Sequence, residues 1–174
     1  RNRAAATSDA DIFLFMTQDA VPMNKRLISE ILKGFSEEDV AAVYARQVAG
    51  EHANPVEKYT RDFNYPAVSR KKTKEDLKKI GIKTYFCSNT CAAYRRSCFE
   101  EMDGFVPHTI FGEDMIMAAK LIQAGYAVYY AAEAKVLHWH DYKAKEQFHR
   151  NFDNGVSQKM YEELFSGAKA EGEG

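Results

Sequence analysis

The chain has 174 residues, 45% hydrophobic and 28% charged, with ten Gly and four Pro; this excludes collagen-like, low-complexity and disordered classes and leaves one domain, or a large part of one, with its own core. Lys and Arg (24) nearly cancel Asp and Glu (25), so no global charge favours nucleic acid, and no apolar run reaches the roughly 18 residues of a membrane-spanning helix. Cys87, Cys91 and Cys98 form an odd set without paired metal-ribbon spacing, which predicts reduced thiols and a cytoplasmic protein.

The chain starts at Arg1 in what reads as a helix already under way, as expected of a piece of a longer chain. Residues 11–16 (DIFLFM) predict a central parallel strand buried on both faces, closed by Thr17, Asp19 and Pro22. Over residues 23–35, Leu27, Ile28, Ile31, Leu32 and Phe35 recur at helical spacing, and residues 40–48 (VAAVYARQV) read as a second strand. Residues 49–72 predict loop and short helix. Thr73 with Asp76 resembles a helix N-cap pair for a short helix ending before Gly81. Strands are expected near residues 83–87 and 89–94, then a turn at Asp103-Gly104 and a helix over residues 112–125. Residues 126–138 suggest two short strands or one bent strand, breaking near Glu133. Phe148, Phe152, Val156, Met160 and Leu164, four residues apart, mark one stripe of a long helix over residues 143–166. The simplest expectation is that this stripe docks on the body of the protein, with peripheral membrane contact as the alternative. Residues 167–174 read as a disordered tail.

Three polar clusters fall at expected strand or helix ends, where α/β folds collect their sites. Thr17-Gln18-Asp19 offers a carboxylate for a hard divalent cation beside a phosphate, or a simple turn-closing Asp. Glu113 and Asp114 stand in the first turn of a helix, where capping of the dipole alone accounts for about 0.3–1 kcal/mol. In His138-Trp139-His140-Asp141-Tyr142, strand alternation puts His138 and His140 on one face, a spacing that suits a shared metal as well as structural histidines.

Taken in order, TQDA after the first strand, then FGED opening a helix, then HWHDY and FHRNFDNG, resemble the family 2 glycosyltransferases. Within that family they are most similar to its bacterial rhamnosyltransferase-like branch, from about Arg1 to Val156. The resemblance implies a GT-A fold, a doubly wound α/β domain with a mixed sheet. It implies an inverting enzyme that moves a sugar, rhamnose by the branch, from a nucleoside-diphosphate donor to a saccharide or lipid-linked saccharide acceptor in cell-surface polysaccharide synthesis. It also implies work in the cytoplasm, at the inner face of the membrane. By the same resemblance Asp19 holds Mg²⁺ or Mn²⁺ against the donor diphosphate, Thr17 replaces the first acid of the family's D-x-D, and His138 approaches the metal and diphosphate. Asp114 is the general base, with Glu113 placing it or the acceptor, and His140 has no firm role.

The segment that carries base and ribose contacts in the family has no counterpart in these residues. The chain is therefore expected to be the C-terminal part of a catalytic domain over residues 1–142, followed by the helix and tail, inactive alone and self-associating through an exposed sheet edge. The helix dipole is expected to keep Asp114 ionised. Two rival readings stay open. One is a metal-dependent phosphoesterase built on Asp19, His138, His140 and Asp141; the other is a non-catalytic module binding a glycan or partner, favoured by Thr17 in place of an acid.

Overall fold

A computed structural model describes residues 1–168, so the expected disordered tail falls outside the described residues from residue 169 onward. The chain opens with a short helix, α1 (Asn2–Ala5), pinned by hydrogen bonds in both directions between the Asn2 amide and the Phe105 backbone. Strand β1 (Ile12–Met16) follows, then the two-residue β2 (Val21–Pro22), α2 (Leu27–Lys33) and β3 (Val40–Val48). Helix α3 (Pro55–Asn64) starts at Asn54, whose side chain accepts the Glu57 N–H, with Pro55 at the first helical position where no N–H is needed. It extends the short helix expected within residues 49–72 to ten residues. After β4 (Arg70–Lys72), Thr73 and Asp76 close the expected capping box ahead of a 3₁₀ turn and α4 (Leu77–Ile80). The rest comprises β5 (Cys91–Arg95), α5 (Arg96–Glu101), α6 (Glu113–Gln123), β6 (Ala127–Leu137), α7 (Ala144–Met160) and α8 (Glu162–Phe165).

The strands form one mixed sheet in the order β1-β5-β3-β6-β2, with β4 also on β6. Strand β3 pairs parallel with β6 and antiparallel with β5, and β1 pairs antiparallel with β5. Strands β1, β3 and β6 therefore run in one direction and end at the same edge, where β5 begins. The register between β3 and β6 jumps from Ala45 opposite Ala131 to Arg46 opposite Lys135, so the expected segment 126–138 holds one strand, Ala127–Leu137, bent around Glu133. Helix α2 covers one face through Leu27 and Ile31 against Val43, Ala131 and Ala134. Helix α6 covers the other through Ile116, Met117, Leu121 and Ile122, beside an aromatic layer of Phe13, Tyr94, Phe99 and Phe105. Helices on both faces of a mixed sheet give the doubly wound α/β class expected.

Four expectations are corrected. Strand β1 is at the end of the sheet order with an antiparallel neighbour, and it alternates: Phe13 is buried while Leu14 and Met16 are 39% and 45% exposed. The helix expected over residues 23–35 starts at Leu27, because Val21 and Pro22 pair with β6 and the Asn24 side chain accepts the Arg26 N–H in a turn. In place of a strand over residues 83–87, a 3₁₀ turn runs from Gly81, whose φ of +52° turns the chain, to Tyr85. Finally, the stripe on α7 does not dock: Phe148, Phe152 and Met160 are 67%, 62% and 57% exposed. The helix instead packs through Ser157, whose hydroxyl accepts the Phe111 N–H, and breaks at Tyr161, which turns Leu164 and Phe165 onto the core. Among the described residues no helix is long and apolar enough to cross a membrane.

Candidate functional site

The shared edge of β1, β3 and β6 collects the polar residues, as the carboxyl ends of strands do in α/β sheets. Past β1, Thr17 N–H bonds to the Thr90 carbonyl and Ala20 N–H to the Thr17 carbonyl, a turn that carries Asp19. Past β6, His138 N–H bonds to the Val48 carbonyl at 3.0 Å, extending the parallel ladder by one residue. The extended backbone that follows sets the His138 and His140 rings 4.7 Å apart and perpendicular, and Tyr142 stacks on His140 at 5.0 Å.

Asp19 Oδ2 lies 3.4 Å from His138 Nε2 and 3.6 Å from His140 Nε2, and one ligand atom from each residue falls within 4.8 Å of the others. The expected meeting of Asp19 and His138 is thus present, and His140 completes it. Both nitrogens and the carboxylate are ordinary ligands of a divalent cation. The Thr17 hydroxyl is buried beside them. The residues present fit a divalent cation.

The Thr17 hydroxyl is the largest influence holding the Asp19 carboxyl below its usual range. Burial, and then the Arg61 charge, push His138 below the usual imidazole range, which favours the neutral ring a metal requires. His138 Nδ1 is 2.8 Å from Gln47 Oε1, a buried amide in β3. Asp141, by contrast, accepts the Asn54 backbone and side-chain N–H groups at the start of α3.

Gly112, at φ +76°, turns the chain so that α6 begins at Glu113. Asp114 accepts the Asn89 N–H at 2.9 Å and its neighbour Met115's N–H at 2.8 Å, while Glu113 accepts the Asn89 side-chain amide and pairs with Arg1. Both acids are thereby anchored on the loop before β5. Desolvation raises the Asp114 carboxyl above its ordinary value in spite of these donors.

Asp19, His138, His140, Glu113 and Asp114 all line one open cavity of about 860 Å³. Arg150 of α7 also borders it, its guanidinium 5.1 Å from the Phe111 ring and 5.6 Å from the Tyr142 ring. Sequence reasoning left His140 without a role although its alternation with His138 was visible, and it missed Gln47. The signal for Gln47 was an amide placed, beside Arg46, near the end of a strand whose first six residues are buried.

Residues 1–103 match the sequence model of the family described as Glycosyl transferase family 2. The chain is 49% identical to the O-antigen chain rhamnosyltransferase RfbN of Salmonella typhimurium and 47% identical to the O-antigen chain rhamnosyltransferase WbaN of Salmonella anatum. Each alignment covers 99% of this chain and 56% of the relative, so the chain spans about half the length of these curated relatives. Its fold is similar to the mannosyltransferase PcManGT from Pyrobaculum calidifontis in complex with GDP-Man and Mn²⁺ (TM-score 0.63, 16% identity, 98% of this chain and 44% of that one). It is also similar to S. aureus TarS 1–349 (TM-score 0.60, 12% identity, 98% of this chain and 45% of that one).

Proposed function

This chain belongs to glycosyl transferase family 2, and we propose that it supplies the cation side and the base of an inverting sugar-transfer site. The donor is a nucleoside-diphosphate sugar, with rhamnose as the sugar on the strength of the two O-antigen relatives, and the acceptor is a saccharide, free or lipid-linked, of a cell-surface polysaccharide. The observation that carries this reading is the convergence of Asp19, His138 and His140 on one point of the cavity that Asp114 also lines. Asp19, His138 and His140 hold Mg²⁺ or Mn²⁺. When bound, that cation neutralises charge on the departing diphosphate. The acceptor oxygen forms its bond to the anomeric carbon as the bond from that carbon to the diphosphate oxygen breaks, the electron pair leaving with the diphosphate. The acceptor proton passes to the Asp114 carboxylate. Glu113, tied to Asn89 as Asp114 is, fixes where that carboxylate sits. Work at the inner face of the membrane, where lipid-linked acceptors lie, belongs to the same reading.

Titration of the chain with Mn²⁺, followed by electron paramagnetic resonance, tests the cation site. Saturable binding of one ion is expected, weakened by both Asp19→Asn and His140→Ala; affinity unchanged in both variants would remove the site. The second test, on the transferase that carries this chain, is nucleoside diphosphate release from dTDP-rhamnose, which as a transferase reaction requires an acceptor. Equal release without acceptor would favour metal-dependent hydrolysis.

A further inference from the structure

We infer that Gln47 and Arg61 are positioning residues that fix the tautomer of His138, so that Nδ1 carries the proton and Nε2 presents its lone pair beside Asp19. The inference rests on the cation reading above but is argued from hydrogen-bond logic alone. Gln47 is 3% exposed, and its amide is used on both sides. Its Oε1 is 2.9 Å from Arg61 Nη1 and 2.8 Å from His138 Nδ1; its Nε2 is 2.5 Å from the Tyr65 hydroxyl and 2.8 Å from Ser88 Oγ. Arg61 has only donors, so it decides which way the amide is turned: the oxygen must face the guanidinium. Glu57, one helical turn earlier on α3, holds Arg61 in that place at 2.7 Å. With an acceptor oxygen fixed in front of Nδ1, that nitrogen must be the donor, and Nε2 is left as an acceptor.

The consequence is chemical. Nε2 faces the Asp19 carboxylate at 3.4 Å, and two acceptors at that distance repel one another unless a cation stands between them. The same amide also reaches Ser88, the residue before Asn89, whose N–H holds Asp114. One buried side chain thus supports both the cation ligand and the loop that seats the base. Such outer partners of a metal-bound histidine typically change affinity about 10- to 100-fold when removed.

The test compares the wild-type chain with Gln47→Leu and Gln47→Glu, using long-range ¹H–¹⁵N spectra of His138 without metal and Mn²⁺ titration. Gln47→Leu is expected to lose the single Nδ1–H tautomer and to weaken Mn²⁺ binding about 10- to 100-fold. Gln47→Glu keeps an oxygen toward both Arg61 and His138, so it should retain the tautomer and hold Mn²⁺ near wild-type strength, a rescue that a merely space-filling role would not produce. A folded Gln47→Leu variant with the Nδ1–H tautomer and wild-type Mn²⁺ affinity overturns the inference. Should Gln47→Leu not fold, Arg61→Met serves instead: a mixture of tautomers supports the inference and a single Nδ1–H form refutes it. If the wild-type chain binds no Mn²⁺, the cation reading fails, while an Nδ1–H signal in the same protein still supports the positioning role and an Nε2–H signal ends it.

Discussion

Asp114 is subject to opposing influences. Two backbone N–H groups and the start of α6 favour its charged form, and desolvation opposes it. Desolvation wins, so the proton is held more tightly than on an exposed carboxylate. A general base works when ionised, and its efficiency rises as its proton affinity approaches the working pH. In the transferase that carries this chain, the acid limb of the kcat/KM profile is therefore expected above the ordinary carboxylate range, with activity lost as pH falls through it. Asp114→Asn keeps the shape and removes the base, and should lower kcat by about 10²- to 10⁴-fold, roughly 3–5 kcal/mol. Glu113→Gln should cost less, since it loosens an anchor without removing the proton acceptor. Turnover of Asp114→Asn above a tenth of wild type would make Asp114 a capping residue.

Elements buried on both sides were the easiest to read in the sequence. Strand β3 and helix α6 have the expected bounds within two residues, because the periodicity of a fully covered element survives in its composition. Strand β1 shows the converse: an apolar run reads the same whether its outer face is covered or, as for Leu14 and Met16, exposed. The site divides in the same way. Asp19 and His138 were legible because they follow strands, whereas Gln47 acquires its partners only when residues 18 and 91 positions away in sequence fold against it. The seam between α2 and β3 gives a stability prediction. Gly34, after α2, has ordinary helical φ, but a Cβ there would lie 2.8 Å from both methyl carbons of the fully buried Val43. Gly34→Ala should therefore cost about 1–3 kcal/mol by crowding, offset by about 0.4–1 kcal/mol from the less flexible unfolded chain, and lower Tm by about 2–4 °C per kcal/mol of net loss in a chain of this size. Thermal unfolding followed by circular dichroism measures it, and an unchanged Tm would show that the seam yields.

Across the whole molecule, apolar mass is concentrated on the sheet and thins out toward α7. On the α6 side, Phe99 is 3% exposed, with its ring 5.6 Å from Phe13, 5.9 Å from Phe15, 5.8 Å from Tyr94 and 5.0 Å from Phe105. On α7, Phe152 is 62% exposed. The two residues share a side chain and differ in what surrounds it, so they separate burial from identity. Phe99→Ala removes a ring from a packed cluster and should cost about 3–5 kcal/mol, because the aromatic neighbours cannot all collapse into the space left. Phe152→Ser touches little in the isolated chain and should stay within about 0.5 kcal/mol of wild type. Parallel melts at several protein concentrations check both. A loss of stability in Phe152→Ser that grows with concentration would mean that copies of the chain cover the α7 stripe in solution, the self-association expected from the sequence but placed on the helix and not on the sheet edge.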